Sequence, residues 1–452
     1  MTKTETRLFG TDGVRGTAGV HPLDRPTVRR LGAALVRALP HVDSPAHLLI
    51  GRDTRESGSW IEAELATGAS GEGASVTSVG IVPTPAVAYL TRAFDDYDAG
   101  VVISASHNPY ADNGIKVFSG RGEKFTEKVE REIETIVADP TWEVRRGTAE
   151  APPQAALVGS YVDHLKAILS DPAPFKGFRL VLDCANGATT TVAPALFEAL
   201  GFDAAVIGNE PDGRNINLGC GSTHPEALAA EVVSRGAQMG VAFDGDGDRA
   251  IFVDHLGNVV NGDAVLLMCA RQLQREGRLA GNAVVATVMS NIGLEIALRE
   301  SGIGIVRCPV GDKYVMEEML ARGISLGGEQ SGHVIFSDYL FTGDGLCTAL
   351  NVLRTIWKSG RSLADLAADL ISYPQVLLNV RVREKVDLSG VPAVAEAVSR
   401  VEARVAGNGR LLVRYSGTEP LLRVMLEGPD HDAISAWGQE IVDAVREEIG
   451  EA

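Results

Sequence analysis

Along the first two-thirds of the chain, short apolar runs alternate with stretches whose apolar positions recur at helical spacing. Residues 47–53 (HLLIGRD) predict a buried strand, 60–68 a helix, 75–80 a strand and 85–94 a helix. Residues 100–104 (GVVIS) are a continuous apolar strand running into a polar loop at 105–113. The same order returns in 178–183 (strand), 192–200 (helix) and 239–243 (strand), with a polar loop from Asp244. It returns again in 283–288, 293–299 and 324–326, with a polar loop from Gly327. Runs this apolar suit sheets covered on both faces, so three related α/β mixed-sheet domains are expected. The last segment reads differently: strands at 376–382, 411–415 and 422–426, helices at 391–405 and 432–449. That pattern predicts a smaller C-terminal α+β domain. Candidate linkers at 151–156, with its Pro-Pro pair, and at Tyr373–Pro374 divide the chain into 1–155, 156–256, 257–372 and 373–452. Ligands of such sheets gather beyond the carboxyl ends of strands, so the three glycine-rich loops are expected to meet around a central cleft.

Composition narrows the classes. A chain of 452 residues exceeds what one core supports, and 45% hydrophobic with 22% charged residues is ordinary for a globular protein. The opening MTKTETRLFG has no basic stretch followed by an apolar core, so no signal peptide is expected, and no apolar run is long enough for a bilayer. Five scattered cysteines without a C-x-x-C pair predict reduced thiols and a cytoplasmic location. The net charge of −17 argues against nucleic acid or an anionic membrane as a partner. A chain this acidic that binds a phosphate ester must gather local cations around it.

Four loops carry candidate chemistry. Residues 103–109 (ISASHNP) end a strand in hydroxyls, so Ser104 or Ser106 can carry a phosphoryl group, with His107 or Lys116 as proton handler or charge partner. Residues 244–249 (DGDGDR) set Asp244, Asp246 and Asp248 at alternate positions between glycines. Three hard oxygen ligands on one turn suit Mg²⁺ or Ca²⁺. A calcium loop of EF-hand type is excluded, since Arg249 replaces its glycine and His255 its bidentate Glu. Residues 327–333 (GGEQSGH) offer Glu329, Ser331 and His333 for gripping sugar hydroxyls and moving a proton. Residues 414–423 (RYSGTEPLLR) place Arg414 and Arg423 about a Ser416-Gly417-Thr418 turn, a compact anion site. Arg15 stands between glycines in FGTDGVRG, and Lys313 in GDKY adds a possible cation.

Taken together and in order, FGTDGVRG, SASHNP, DGDGDR, GEQSGH and RYSGTEP resemble the α-D-phosphohexomutase superfamily over essentially the whole chain. PTPAVAYLTR, LDCANGAT, GSTHPE and VGDKYV are similar to its bacterial phosphoglucosamine mutase branch. The resemblance implies four domains around a cleft, with the phosphoserine, metal, sugar and phosphate loops in successive domains. It selects Ser106 over Ser104 as the phosphorylated serine. It implies one Mg²⁺ per chain held by Asp244, Asp246, Asp248 and the Ser106 phosphate. It gives Glu329 and Ser331 to the sugar, and Arg414, Ser416, Gly417, Thr418 and Arg423 to the non-reacting phosphate. Arg249 would neutralise the transferring group, with His107, Lys116, His333 and Arg15 in support. The implied activity interconverts glucosamine 6-phosphate and glucosamine 1-phosphate through a 1,6-bisphosphate, in a monomer or homodimer. Ser106 would first be primed by a hexose 1,6-bisphosphate or a kinase. Mutases for glucose or mannose phosphates, a phosphatase, and a non-catalytic phosphosugar- or calcium-binding protein are the rival readings.

Overall fold

The computed structural model describes residues 7–10, 12–40, 45–171, 173–416 and 419–451. It divides into two compact units. One runs to Met289 and resumes at Gly304–Ala368; the other comprises Ser290–Ile303 and Asp369 onward.

The first unit holds three mixed sheets. In the six-stranded sheet, His47–Arg52 lies parallel to both Ser75–Ile81 and Ala99–Ile103. Asp112–Ser119 returns antiparallel to Ala99–Ile103, and Gly13–Thr17 pairs antiparallel with it in turn. Leu48, Ile50, Val101 and Ile103 pack against Val28, Leu31, Ile61 and Leu65 of the helices Arg25–Ala38 and Gly58–Gly71. On the opposite face, Gly51 lies close to Val87 of the helix Thr84–Ala93. Covering both faces explains the unbroken apolar runs; each such side chain contributes roughly 1.5–3 kcal/mol by burial. The second sheet orders Val259–Val260, Ala250–Asp254, Met239–Phe243, Arg179–Asp183 and Asp203–Ile207. The third orders Gly304–Cys308, Ala283–Thr287, Leu326–Gly328 and Val334–Phe336.

One device recurs in all three. A buried strand enters a polar loop, and the chain returns antiparallel beside it. Ile103 pairs with Ile115, Phe243 with Ala250, and Gly328 with Val334. The predicted loop 105–113 therefore ends in a strand from Asp112, whose polar opening Asp112-Asn113-Gly114 reads as loop. Lys116 is 1% exposed, and its charge is matched by the carboxylates of Asp12 and Asp246, each on a turn between strands. The strand expected at 324–326 instead spans Leu326–Gly328. Without a side chain, Gly328 lets the hairpin close; a Cβ there would lie 2.6 Å from the His333 carbonyl oxygen. The candidate linker 151–156 runs along the edge of Ser75–Ile81, where Ser78 N donates to Pro152 O (3.1 Å) and Gln154 N to Ser78 O (2.7 Å).

The second unit is a three-stranded antiparallel sheet, Gln375–Arg381, Leu421–Glu427 and Arg410–Tyr415, with the helices Pro392–Val405 and His431–Ile449. Val394, Val401, Val424, Ile441 and Val445 form its core. The helix Ile292–Glu300 belongs to this unit, because Ile292 N donates to the buried Glu427 carboxylate (3.2 Å).

Candidate active site

Ser104 and Ser106 lie on the turn after Ala99–Ile103, and their surroundings separate them. The Ser104 hydroxyl donates to Asp53 Oδ2 (2.6 Å) and accepts from Ser106 N (2.9 Å). It is consumed in shaping the turn. Ser106 adopts φ 53°, a left-handed conformation that costs a non-glycine residue about 1–2 kcal/mol. That backbone aims its hydroxyl at Asp244 Oδ2, to which it donates, while His107 Nδ1 lies 3.3 Å away. Burial, with the nearby Arg249 and Arg15, lowers the His107 pKa to about 4, so the imidazole is neutral at pH 7.

The turn between Met239–Phe243 and Ala250–Asp254 brings Asp244, Asp246 and Asp248 into the interior, none more than 4% exposed. One carboxylate oxygen from each lies within 4.8 Å of the others. Asp246 Oδ2 accepts from Thr84 Oγ1 (2.6 Å) and Lys116 Nζ (2.8 Å), and Asp248 Oδ2 from Lys116 Nζ (3.0 Å). Among the described residues, Asp246 Oδ1 and Asp248 Oδ1 are buried with no hydrogen-bond partner. Burial, then repulsion from Asp248 and Asp246, pushes the Asp244 carboxyl well above the usual range. Buried carboxylates crowded on one turn, with oxygens left unpaired, fit a hard divalent cation.

Lys116 links this turn to the N-terminal strands. Burial works against its charge, but Asp12, Asp246 and Asp248 outweigh that and hold it firmly as an ammonium. Asp12 also receives Lys124 (2.5 Å) and pairs with Arg15, whose Nη1 reaches Ala105 O (3.3 Å). Lys124 pairs in turn with Asp312. Asp12, Thr84 and Lys124 were not singled out from the sequence, although Asp12 lies within FGTDGVRG and Thr84 within PTPAVAYLTR; nothing marked Lys124.

The third loop joins the second through an isolated antiparallel bridge between Arg249 and His333. Ala250 N donates to Gly332 O (3.1 Å). Glu329 Oε1 accepts from Gly311 N (3.2 Å), and Ser331 Oγ approaches Oε2 at 3.5 Å. His333 is buried, 3.4 Å from Asp312 Oδ2, with both ring nitrogens lacking hydrogen bonds among the described residues. Arg15, His107, Asp248, Arg249, Glu329 and His333 line one cavity of about 500 Å³. Against burial, Asp248 and Asp244 raise the Arg249 pKa further, so it stays charged.

The remaining predicted residues lie in the second unit. Arg414 and Arg423 are register partners on adjacent strands. Like charges side by side on a sheet repel, which favours an anion between them. Arg423 Nε is buried without a hydrogen bond among the described residues, and Lys385 Nζ donates to Ser416 O (2.6 Å), bringing a third cation to the turn. Gly417 and Thr418 lie outside the described residues.

Profiles for phosphoglucomutase/phosphomannomutase alpha/beta/alpha domains I, II and III match residues 6–143, 159–257 and 261–373, and the C-terminal domain profile matches 377–444. A phosphoglucosamine mutase of Solibacter usitatus is 52% identical over 98% of this chain and 99% of its own. The chain belongs to the phosphoglucosamine mutases. Another member, from Geotalea daltonii, is 47% identical over 98% of both chains. The phosphoglucosamine mutase fold is shared with a phosphoglucomutase/phosphomannomutase family protein of Burkholderia thailandensis (TM-score 0.79, 24% identity, 98% and 99% covered). It is shared too with the N-acetylphosphoglucosamine mutase of Aspergillus fumigatus, solved with GlcNAc-6P and magnesium (TM-score 0.66, 18% identity, 97% and 95% covered).

Proposed function

We propose that this chain interconverts glucosamine 6-phosphate and glucosamine 1-phosphate, using Ser106 as the carrier of the transferred phosphoryl group. The observation that carries the reading is the Ser106 hydroxyl, set by a left-handed backbone against Asp244 beside the unpartnered oxygens of Asp246 and Asp248. Membership among relatives named phosphoglucosamine mutase supplies the amino sugar.

Phospho-Ser106 would donate to O1 of glucosamine 6-phosphate. The O1–P bond forms, Oγ–P breaks, the O1 proton leaves and a proton returns to Oγ. The bisphosphate then turns over, and its 6-phosphate returns to Ser106 by the reverse exchange. His333 suits the proton transfer, since it lines the cavity with unbonded ring nitrogens. Lys116, held as an ammonium, suits a charge partner rather than a base. Arg249 and Arg15 face the cavity as fixed cations for the transferring group. Asp244, Asp246 and Asp248 would hold the Mg²⁺, which supplies electrostatic neutralisation of that group when bound. Glu329 and Ser331 would grip sugar hydroxyls, and Arg414, Ser416, Gly417, Thr418 and Arg423 the second phosphate. Such a second clamp is superfluous in a phosphatase.

The test is a mutase assay with Mg²⁺ and glucose 1,6-bisphosphate as primer, comparing kcat/KM for glucosamine, glucose and mannose 6-phosphates. A clear preference for glucosamine is expected. A preference for either neutral hexose would overturn the substrate and leave the phosphoryl chemistry standing.

A further inference from the structure

Arg55 follows the strand His47–Arg52, in the run GRDTRESG, and is 1% exposed. A guanidinium carries five N–H donors in a rigid fork, and here all five are used. Nε donates to Asp53 Oδ2 (2.8 Å). Nη1 donates to the carbonyls of Pro109 and Asp112 (2.9 Å to the latter). Nη2 donates to the carbonyls of Ser106 (3.0 Å) and Asn108 (2.8 Å). Four of the five bonds thus go to main-chain oxygens of the single turn that presents Ser106. The fifth goes to Asp53, the carboxylate that also receives the Ser104 hydroxyl.

A second donor reaches the same oxygens from another part of the chain. Asn217 Nδ2 donates to Ser106 O (2.9 Å) and Asn108 O (3.2 Å). Asn217 N is itself tied to Ala185 O (2.9 Å). Gly245, in the aspartate turn, passes so near that a Cβ would lie 2.6 Å from Ser106 O. The Ser106 carbonyl is therefore clamped on separate sides while the residue holds a conformation that serine rarely adopts.

We infer that Arg55, with Asn217 in support, is a positioning residue for phosphoryl transfer, pinning the carbonyl of Ser106 so that its hydroxyl stays aimed at the aspartate turn. Lysine cannot substitute. Its ammonium is a compact point charge with three donors and cannot reach carbonyls spread along the turn. A purely structural role would show as lost stability in a chain whose folded fraction turns over normally. A positioning role shows in kcat, because displacement of a reacting group by about an ångström costs roughly a hundredfold in rate.

The inference rests on Ser106 being the phosphate carrier, and the experiment separates the two. Wild type, Ser106→Ala, Arg55→Lys and Asn217→Ala are primed with glucose 1,6-bisphosphate, and intact mass counts the phosphoryl groups. Steady-state rates at saturating Mg²⁺ are then expressed per phosphorylated chain. Arg55→Lys should lose about a hundredfold in kcat with KM little changed. Asn217→Ala, which leaves Arg55 on the same carbonyl, should lose less in the same direction. Wild-type kcat per phosphorylated chain in both variants, with only the melting temperature lowered, overturns the positioning role. Should Arg55→Lys fail to fold, Asn217→Ala decides, and an unchanged kcat there overturns it equally. A wild-type chain that never gains phosphate at Ser106 overturns both readings; a phosphorylated wild type with unimpaired variants overturns this one alone.

Discussion

At Asp344 a single carboxyl does two structural jobs in the interior. It caps the helix Gly345–Ser359 by accepting from Cys347 N (2.9 Å), and it accepts from the Tyr161 hydroxyl (2.9 Å). Burial pushes its pKa up to about 6. A carboxyl raised above its unfolded value, near 3.9, stabilises the fold while protonated, and that contribution is lost as pH climbs through 6. Asp344→Asn keeps a capping oxygen without the buried charge. The melting temperature of Asp344→Asn relative to wild type should therefore be more favourable at pH 7.5 than at pH 4.5; a pH-independent difference would contradict the assignment. The same scale separates Ser104 from Ser106. Sequence spacing left them equivalent and the family resemblance selected Ser106; the tertiary neighbours Asp53 and Asp244 give the two hydroxyls their different surroundings.

Among the elements, the hairpin turn is the unit that carries chemistry. Its strands were legible, since burial on both faces writes an apolar run that ends where the loop begins. Asp112–Ser119 was not, because its opening Asp112-Asn113-Gly114 is polar and turn-like, so the loop pattern runs on into the strand. Nor was the closeness of the turns, which depends on residues lacking side chains. In Gly245→Ala the new Cβ would lie 2.6 Å from Ser106 O and 2.8 Å from Asn217 Nδ2. Overpacking of this kind costs about 1–3 kcal/mol, and the displaced turns should lower kcat by roughly a hundredfold. Thermal melts and steady-state kinetics on the folded variant measure both; full activity would show that the two turns separate without consequence.

For the whole molecule, the excess of acid matters most where it is concentrated. The chain carries a net charge of −17, yet Lys116 and Arg249 pair with the aspartate turn, and Arg15 and Lys124 with Asp12, which Lys116 also meets. These cations leave Asp246 Oδ1 and Asp248 Oδ1 without a hydrogen bond among the described residues, so the native state should bind a divalent ion that the unfolded chain does not. Mg²⁺ should then raise the melting temperature with concentration, by about 2.7 kcal/mol of stability at a hundred times its Kd. Asp246→Ala should flatten that response, and EDTA should abolish turnover. Activity and melting unaffected by EDTA would remove the metal from the mechanism. Among the described residues no helix is long and apolar enough to cross a membrane.

The amino-acid sequence alone determined the alternation of strand and helix, the distinct C-terminal segment and the residue types of each polar loop. These follow from local periodicity and from short runs whose chemistry is contiguous. Tertiary structure decided which loop faces which, and so which carboxylate each serine hydroxyl meets, which lysine is buried as a cation and which arginine holds the turn. Lys116, Arg55 and Asn217 act on partners far away along the chain, and no local pattern records a partner that folding brings from elsewhere.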